Sequence, residues 1–180
     1  KSWPVDLKGL RYDRHWMVVD EQNQFLSQRK LPQMALIRTI LTETSLAICA
    51  PGMTDLIIDL DEWNGATVLA TIWHDQCNAH VVSERANQWF SQFLSCSCRL
   101  VFHPSNEVRN VDQNYALPND QTAFSDGFPF LVISENSLNN LNQQLATPVN
   151  MMRFRPNLVI TGCPAFAEDT WREISINDIH

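Results

Sequence analysis

Trp16-Met17-Val18-Val19-Asp20, then Glu21-Gln22-Asn23, then Gln24-Phe25-Leu26-Ser27-Gln28, reads as two short strands joined by a polar turn. Apolar and β-branched residues flank a cluster of turn formers, which is the sequence pattern of a hairpin. The same pattern repeats outward from it. Residues 34–41 and 45–49 flank Thr42-Glu43-Thr44, and residues 56–60 and 67–73 flank Asp61-Glu62-Trp63-Asn64-Gly65. Many short strands punctuated by turn chemistry predict a barrel or a sandwich. At Ser83 the period changes, because Ala86, Trp89, Phe90, Phe93 and Leu94 fall on one helical stripe. Ser83 is placed to cap that helix and Glu84 favours its first turn, so an amphipathic helix is expected against the sheet.

Residues 98–103 return to strand, and 104–121 are polar, rich in Asn and Asp, with little periodicity. A domain boundary is expected there, giving domains of residues 1–120 and 121–180. The second begins Phe124-Ser125-Asp126-Gly127-Phe128-Pro129-Phe130 and runs through a strand at 131–133. It then enters a helix capped by Ser134, with Leu138, Leu141 and Leu145 inward and Ile133 stapled to Leu138. Pro148 closes that helix. A strand through Arg155-Pro156-Asn157 and Val159 follows, and alternation over 169–176 predicts another. The class is α+β, mainly β, with a few amphipathic helices.

With 44% hydrophobic residues, six Trp and nine Phe in 180 residues, the composition is that of an ordinary globular protein. A chain of this size buries on the order of 70% of its unfolded surface. Thirteen basic against twenty acidic side chains give a net charge of -7, the wrong sign for general binding of nucleic-acid phosphates. Screening within about 8 Å still lets a local cluster of cations hold one phosphate. No apolar run reaches the roughly 18 residues of a spanning helix, so no membrane role is expected. Five cysteines without the spacing of a secreted scaffold point to reduced thiols and a cytoplasmic location.

Arg155-Pro156-Asn157 is the most suggestive chemical motif. Proline biases its neighbour to extended backbone, so Arg155 and Asn157 are expected to project from one strand face. A guanidinium fork beside a carboxamide suits a phosphate, although an exposed Arg–carboxylate pair fits the same spacing and stays open. In Ser125-Asp126-Gly127-Phe128-Pro129, Gly127 allows close backbone approach, so successive N–H groups face an anion or heterocycle, or the turn is simply a tight entry to a buried strand. Arg14 and Trp16 are expected on one face of the first strand. His74, Cys77 and His80 make a poor zinc set, and Cys96-x-Cys98 lacks a second pair. Phosphate loops, serine-hydrolase elbows and zinc-protease motifs are absent from the sequence.

Taken in order, Lys1-Ser2, Gly9-Leu10-Arg11-Tyr12-Asp13-Arg14-His15-Trp16-Met17, Gln28-Arg29-Lys30-Leu31-Pro32, Ser125-Asp126-Gly127-Phe128-Pro129-Phe130-Leu131, Arg155-Pro156-Asn157 and Ala167-Glu168-Asp169-Thr170-Trp171 resemble the MOSC superfamily. The resemblance covers nearly the whole chain and is to the branch with an N-terminal β-barrel domain, which includes the mitochondrial amidoxime-reducing components and their bacterial relatives. It implies an N-terminal barrel-like domain followed by the first part of a MOSC β-barrel, and a molybdenum cofactor (molybdopterin) as ligand. By position it implies cofactor contacts from Lys1, Ser2, Arg14, Asp126, Gly127, Phe128, Arg155 and Asn157. It also implies a metal-holding cysteine after the strand expected near 171–176, where this sequence has already reached His180. The expectation is therefore a piece of a longer protein, with Cys163 a structural thiol or a group near the metal. The implied activity is reduction of small N-hydroxylated substrates with electrons from a flavin or iron–sulfur donor. A cofactor or sulfur carrier and a noncatalytic scaffold are the alternatives.

Overall fold

The structure is a computed structural model and describes residues 3–63 and 65–177. The chain divides into two compact units, Lys1–Gly127 and Phe128–His180.

The first unit is mainly β. A two-stranded hairpin, β1 (Val5–Asp6) and β2 (Gly9–Leu10), precedes β3 (Trp16–Val19). A 3-10 turn at Pro32–Leu36 leads into β4 (Arg38–Leu41), β5 (Ser45–Cys49) and β6 (Leu56–Asp59), an antiparallel sheet in that order. Then come β7 (Thr67–Ile72), β8 (Asp75–Val81), helix α1 (Glu84–Leu94) and β9 (Arg99–Phe102). Strands β3, β9, β8 and β7 form a four-stranded antiparallel sheet in that order.

In the four-stranded sheet β3 and β9 are covered on both faces, which explains their continuous apolar runs, while β7 and β8 leave one face largely exposed. Val18, Leu100 and Phe102 face a core shared with Leu46, Ile48, Leu56 and Ile58 of the other sheet and with Ala86, Trp89, Phe90 and Leu94 of α1. Val19, Ala70, Ile72, Ala79, Val81 and Val101 turn the opposite way and are covered by Phe124. Helix α1 forms as its stripe predicts, and the Ser83 hydroxyl accepts from the Ala86 N–H at 3.4 Å. One buried polar residue on α1 escapes that periodicity. Asn87 accepts from the Leu100 N–H at 3.0 Å and ties the helix to β9. Asn87→Ala strands that buried donor and is expected to cost about 1–3 kcal/mol in urea denaturation; an unchanged midpoint would show that water replaces the amide.

The first unit corrects several expected strands. Residues 24–28 make only isolated bridges, Val19↔Phe25 and Gln24↔Thr71, because the Phe25 N–H leaves the hairpin to reach the Thr71 carbonyl at 3.0 Å. The strand expected over 34–41 is shortened by the 3-10 turn that Pro32 starts. The 56–60 and 67–73 segments are strands but pair with β5 and β8, not with each other. In β8, Cys77 and His80 sit at positions of opposite parity, which sends them to opposite faces. Burial pushes the Cys77 thiol up to about 11.

The second unit holds β10 (Val132–Ser134), α2 (Glu135–Gln144) and β11 (Leu158–Ile160), with β10 and β11 paired in parallel. This is a strand–helix–strand crossover. Ser134 ends the strand and caps the helix, accepting from the Ser137 N–H at 3.0 Å. Leu138 and Leu141 are half-buried, whereas Leu145 is exposed because it is the extended C-cap residue rather than part of the helix. The strand expected over 169–176 is replaced at its start by a 3-10 turn, Ala167–Thr170, and no strand forms over 171–176 among the described residues. The Glu168 side chain pulls this segment toward α2, accepting from the Ser134 N–H at 2.8 Å and the Ser137 hydroxyl at 2.6 Å.

Candidate functional site

Tight backbone precedes β3. Tyr12 and Arg14 both adopt the left-handed region, with φ of 66° and 56°. Arg14 is therefore not part of the strand, and the expected shared face with Trp16 does not form. Its guanidinium pairs with the neighbouring Asp13 carboxylate. Its backbone carbonyl accepts from the Phe124 N–H at 2.9 Å, while the next carbonyl, of His15, accepts from the His103 N–H at 2.9 Å. The first of these bonds ties the Arg14 backbone to the residue that precedes the Ser125-Asp126-Gly127 turn, and the second ties His15 to the end of β9. Two segments more than a hundred residues apart, read separately in the sequence, thus meet within the first unit.

The turn is held by a residue that sequence reasoning passed over. Arg109 is 5% exposed and donates through Nη1 to the carbonyls of Ala123 at 2.7 Å and Ser125 at 2.6 Å. Through Nη2 it reaches Asp75 Oδ2 at 2.8 Å and the Asp126 carbonyl at 3.5 Å. Arg109 lies in the stretch that reads as a polar linker. That stretch is folded: Asn110 bridges Gln121, the Thr122 N–H reaches the Arg109 carbonyl at 2.9 Å, and Val111 is buried. The sequence signal there is slight, a lone Arg beside Val108 and Val111 in a stretch rich in Asn and Asp. The Trp73 indole N–H donates to Asp126 Oδ1 at 3.1 Å. Gly127 has no positive φ, and a Cβ there would meet nothing within 4 Å. Neither backbone conformation nor crowding demands glycine at this position.

Beneath Arg14 lies a buried polar knot. Lys8, 4% exposed, donates to the carbonyls of Pro104 at 2.8 Å, Ser105 at 3.1 Å and Glu107 at 2.5 Å, and its Nζ lies 3.3 Å from His103 Nδ1. The His15 Nδ1–H donates to the His103 carbonyl at 2.6 Å. Burial, reinforced by the nearby Lys8, His15 and Arg109 charges, lowers His103 from 6.5 to about 3. Burial lowers His15 as well. The unfolded chain then holds more protons than the folded one between these values, so the His103 contribution to stability is complete above about pH 6.5 and declines as pH falls toward 3. The His103 ring resonances are expected to stay still from roughly pH 8 to about 4.5, in the range where a free imidazole titrates. A titration midpoint near 6.5 would contradict the buried, lysine-facing environment.

In the second unit the Arg155 expectation is corrected. Arg155 has φ of 54° and follows the 3-10 turn Met151–Arg153, so it is not extended and the two-residue strand spacing to Asn157 does not apply. Strand β11 begins only at Leu158. Asn157 Oδ1 accepts from the Leu131 N–H at 2.7 Å and its own N–H returns to the Leu131 carbonyl at 3.0 Å, so the carboxamide is anchored by the strand entry. Phe128 is 44% exposed. For Glu168, desolvation alone would raise the pKa, but hydrogen bonds from Ser137 and Ser134 outweigh it and hold the carboxyl at about 2. Asn136 Nδ2 donates to the Cys163 carbonyl at 2.6 Å. Of the residues expected around a cofactor, Arg14, Asp126 and Gly127 come together in the first unit, while Phe128, Arg155 and Asn157 belong to the second. Lys1 and Ser2 lie outside the described residues.

Residues 1–97 match the MOSC N-terminal beta barrel domain and residues 119–179 match the MOSC domain; the chain belongs to this MOSC family. It is 39% identical over 186 residues to mitochondrial amidoxime-reducing component 1 of Mus musculus, covering 95% of this chain and 53% of that protein. To the Homo sapiens protein of the same name it is 35% identical over 178 residues, 93% of this chain and 51% of that protein. It is also 31% identical over 198 residues to the molybdenum cofactor sulfurase of Homo sapiens, covering 98% of this chain and 22% of that protein. The chain spans about half the length of the amidoxime-reducing components it matches.

Proposed function

We propose that the full-length protein binds a molybdenum-bearing pterin through its phosphate and reduces N-hydroxylated compounds, with electrons from a flavin or iron–sulfur donor. The observation that carries this reading is the Arg14 backbone tied to the residue that precedes the Ser125-Asp126-Gly127 turn, in a chain whose relatives are named for amidoxime reduction and for the molybdenum cofactor. A phosphate monoester carries about -1.5 to -2 charges near neutrality, so a -7 chain must gather cations locally to hold one. Arg14 supplies a fork for bidentate contact, and backbone N–H groups of the turn add donors. By the family resemblance, Lys1, Ser2, Arg155 and Asn157 are further candidate contacts to the same ligand. When bound, the cofactor supplies the redox chemistry, and these residues bind and orient it.

Among the described residues no helix is long and apolar enough to cross a membrane. The five cysteines are free, which supports a reducing compartment and a cytoplasmic setting as part of the proposal. A sulfur or cofactor carrier is the second reading, favoured by the sulfurase match over nearly all of the chain. Benzamidoxime reduction by the metal-loaded full-length protein with an artificial electron donor separates them. Turnover is expected; metal and pterin in place without turnover would favour the carrier.

A further inference from the structure

The β7–β8 hairpin reaches the candidate site twice. Trp73, at its tip, donates its indole N–H to Asp126 Oδ1 at 3.1 Å, and Asp75, two residues on, accepts from Arg109 Nη2 at 2.8 Å. Trp73 adopts φ of 53°, an outlier for a bulky side chain that persists only where surrounding contacts impose it. Those contacts are present: the Phe25 ring lies 4.8 Å from it, the Arg29 guanidinium sits 5.6 Å from its ring centre, and Asp126 takes its N–H.

The direction of the turn's peptides follows from Arg109. The peptide bonds of this turn are trans, so each carbonyl points opposite to the N–H of the next residue. The Ala123 carbonyl points at Arg109, and the Phe124 N–H accordingly points away and meets the Arg14 carbonyl. By the same geometry the Ser125 and Asp126 carbonyls, also turned to Arg109, send the Asp126 and Gly127 N–H groups away from the guanidinium. Consecutive N–H groups on one side of a bend are a recurrent means of holding an anion.

We infer that Arg109, held by Asp75 and assisted by Trp73, is a positioning residue that aims the Asp126 and Gly127 N–H groups at the bound cofactor. This rests on the cofactor reading above. Arg109 itself is too deeply buried for a clean test, so its exposed partners serve: Asp75 has a side chain 58% exposed and Trp73 is 44% exposed.

In the full-length protein, cofactor retention is measured as pterin and molybdenum per chain after dialysis, beside the thermal midpoint. Trp73→Phe keeps the ring and removes the donor, Asp75→Ala removes the acceptor, and Asp75→Asn restores one. Trp73→Phe and Asp75→Ala are expected to weaken retention roughly three- to tenfold, as loss of one hydrogen bond implies, with the midpoint unmoved in Trp73→Phe, and Asp75→Asn is expected to recover retention. Wild-type retention in Trp73→Phe and Asp75→Ala, alongside loss in Arg14→Ala, overturns the positioning role and leaves the cofactor reading intact. So does an Asp75→Asn as weak as Asp75→Ala. Full retention in Arg14→Ala and Arg155→Ala as well overturns the cofactor reading, and the positioning role falls with it.

Discussion

Lys8→Met is expected to destabilise the first unit by about 2–4 kcal/mol, the range for leaving several buried acceptors without their donor. Methionine retains most of the aliphatic stem, so the loss isolates the ammonium group rather than the packing. That ammonium serves three carbonyls between Pro104 and Glu107 and the ring of His103. Burial lowers the Lys8 pKa, while the charges of Asp6 and Glu107 oppose that effect and favour the ammonium form. The knot anchors the end of β9 and the entry to the segment that carries Arg109, so its loss is expected to loosen the turn as well. Urea denaturation of the full-length protein, followed by tryptophan fluorescence, gives the figure. A loss below about 1 kcal/mol would mean that water takes over the lysine's hydrogen bonds.

Arg14→Ala and Arg155→Ala are each expected to weaken cofactor retention by about ten- to a hundredfold, since a hydrogen bond to a charged group contributes roughly 1.5–3 kcal/mol. Arg14→Lys is expected to fall between wild type and alanine, because an ammonium supplies charge but not the planar fork. Retention should fall with salt in wild type and fall less steeply in the variants, as an exposed anion contact is screened. Equal salt dependence in wild type and Arg14→Ala would contradict a direct phosphate contact by Arg14.

Much of the architecture was legible from local periodicity. The stripe of α1, the cap at Ser83 and the cap at Ser134 were each readable because they depend on residues within one or two helical turns. Strand β5 matched its apolar run to the residue. Pairing was not legible in the same way. Residues 24–28 follow a turn as a hairpin strand would, yet Phe25 is drawn off by Thr71 from a strand some forty-five residues on. Residues 169–176 read as a strand by alternation, but alternation records which face is apolar and not whether a partner strand lies alongside. At the candidate site, Arg14 and the turn at Asp126-Gly127 were recognised from motifs. Arg109 was not, because a single basic residue in a polar stretch carries no period, and its burial depends on carbonyls that only the folded turn presents. Arg155 was assigned the wrong backbone state: the preference imposed by Pro156 was overridden by the 3-10 turn before it.

Pterin and molybdenum content, measured per chain on the full-length protein purified without oxygen and set beside Arg14→Ala, tests the cofactor reading most directly. One pterin and one molybdenum in wild type, with both depleted in a folded Arg14→Ala, is the expected result. A folded wild-type protein from a cofactor-competent host that carries no pterin, or an Arg14→Ala protein that keeps its full complement, would contradict it.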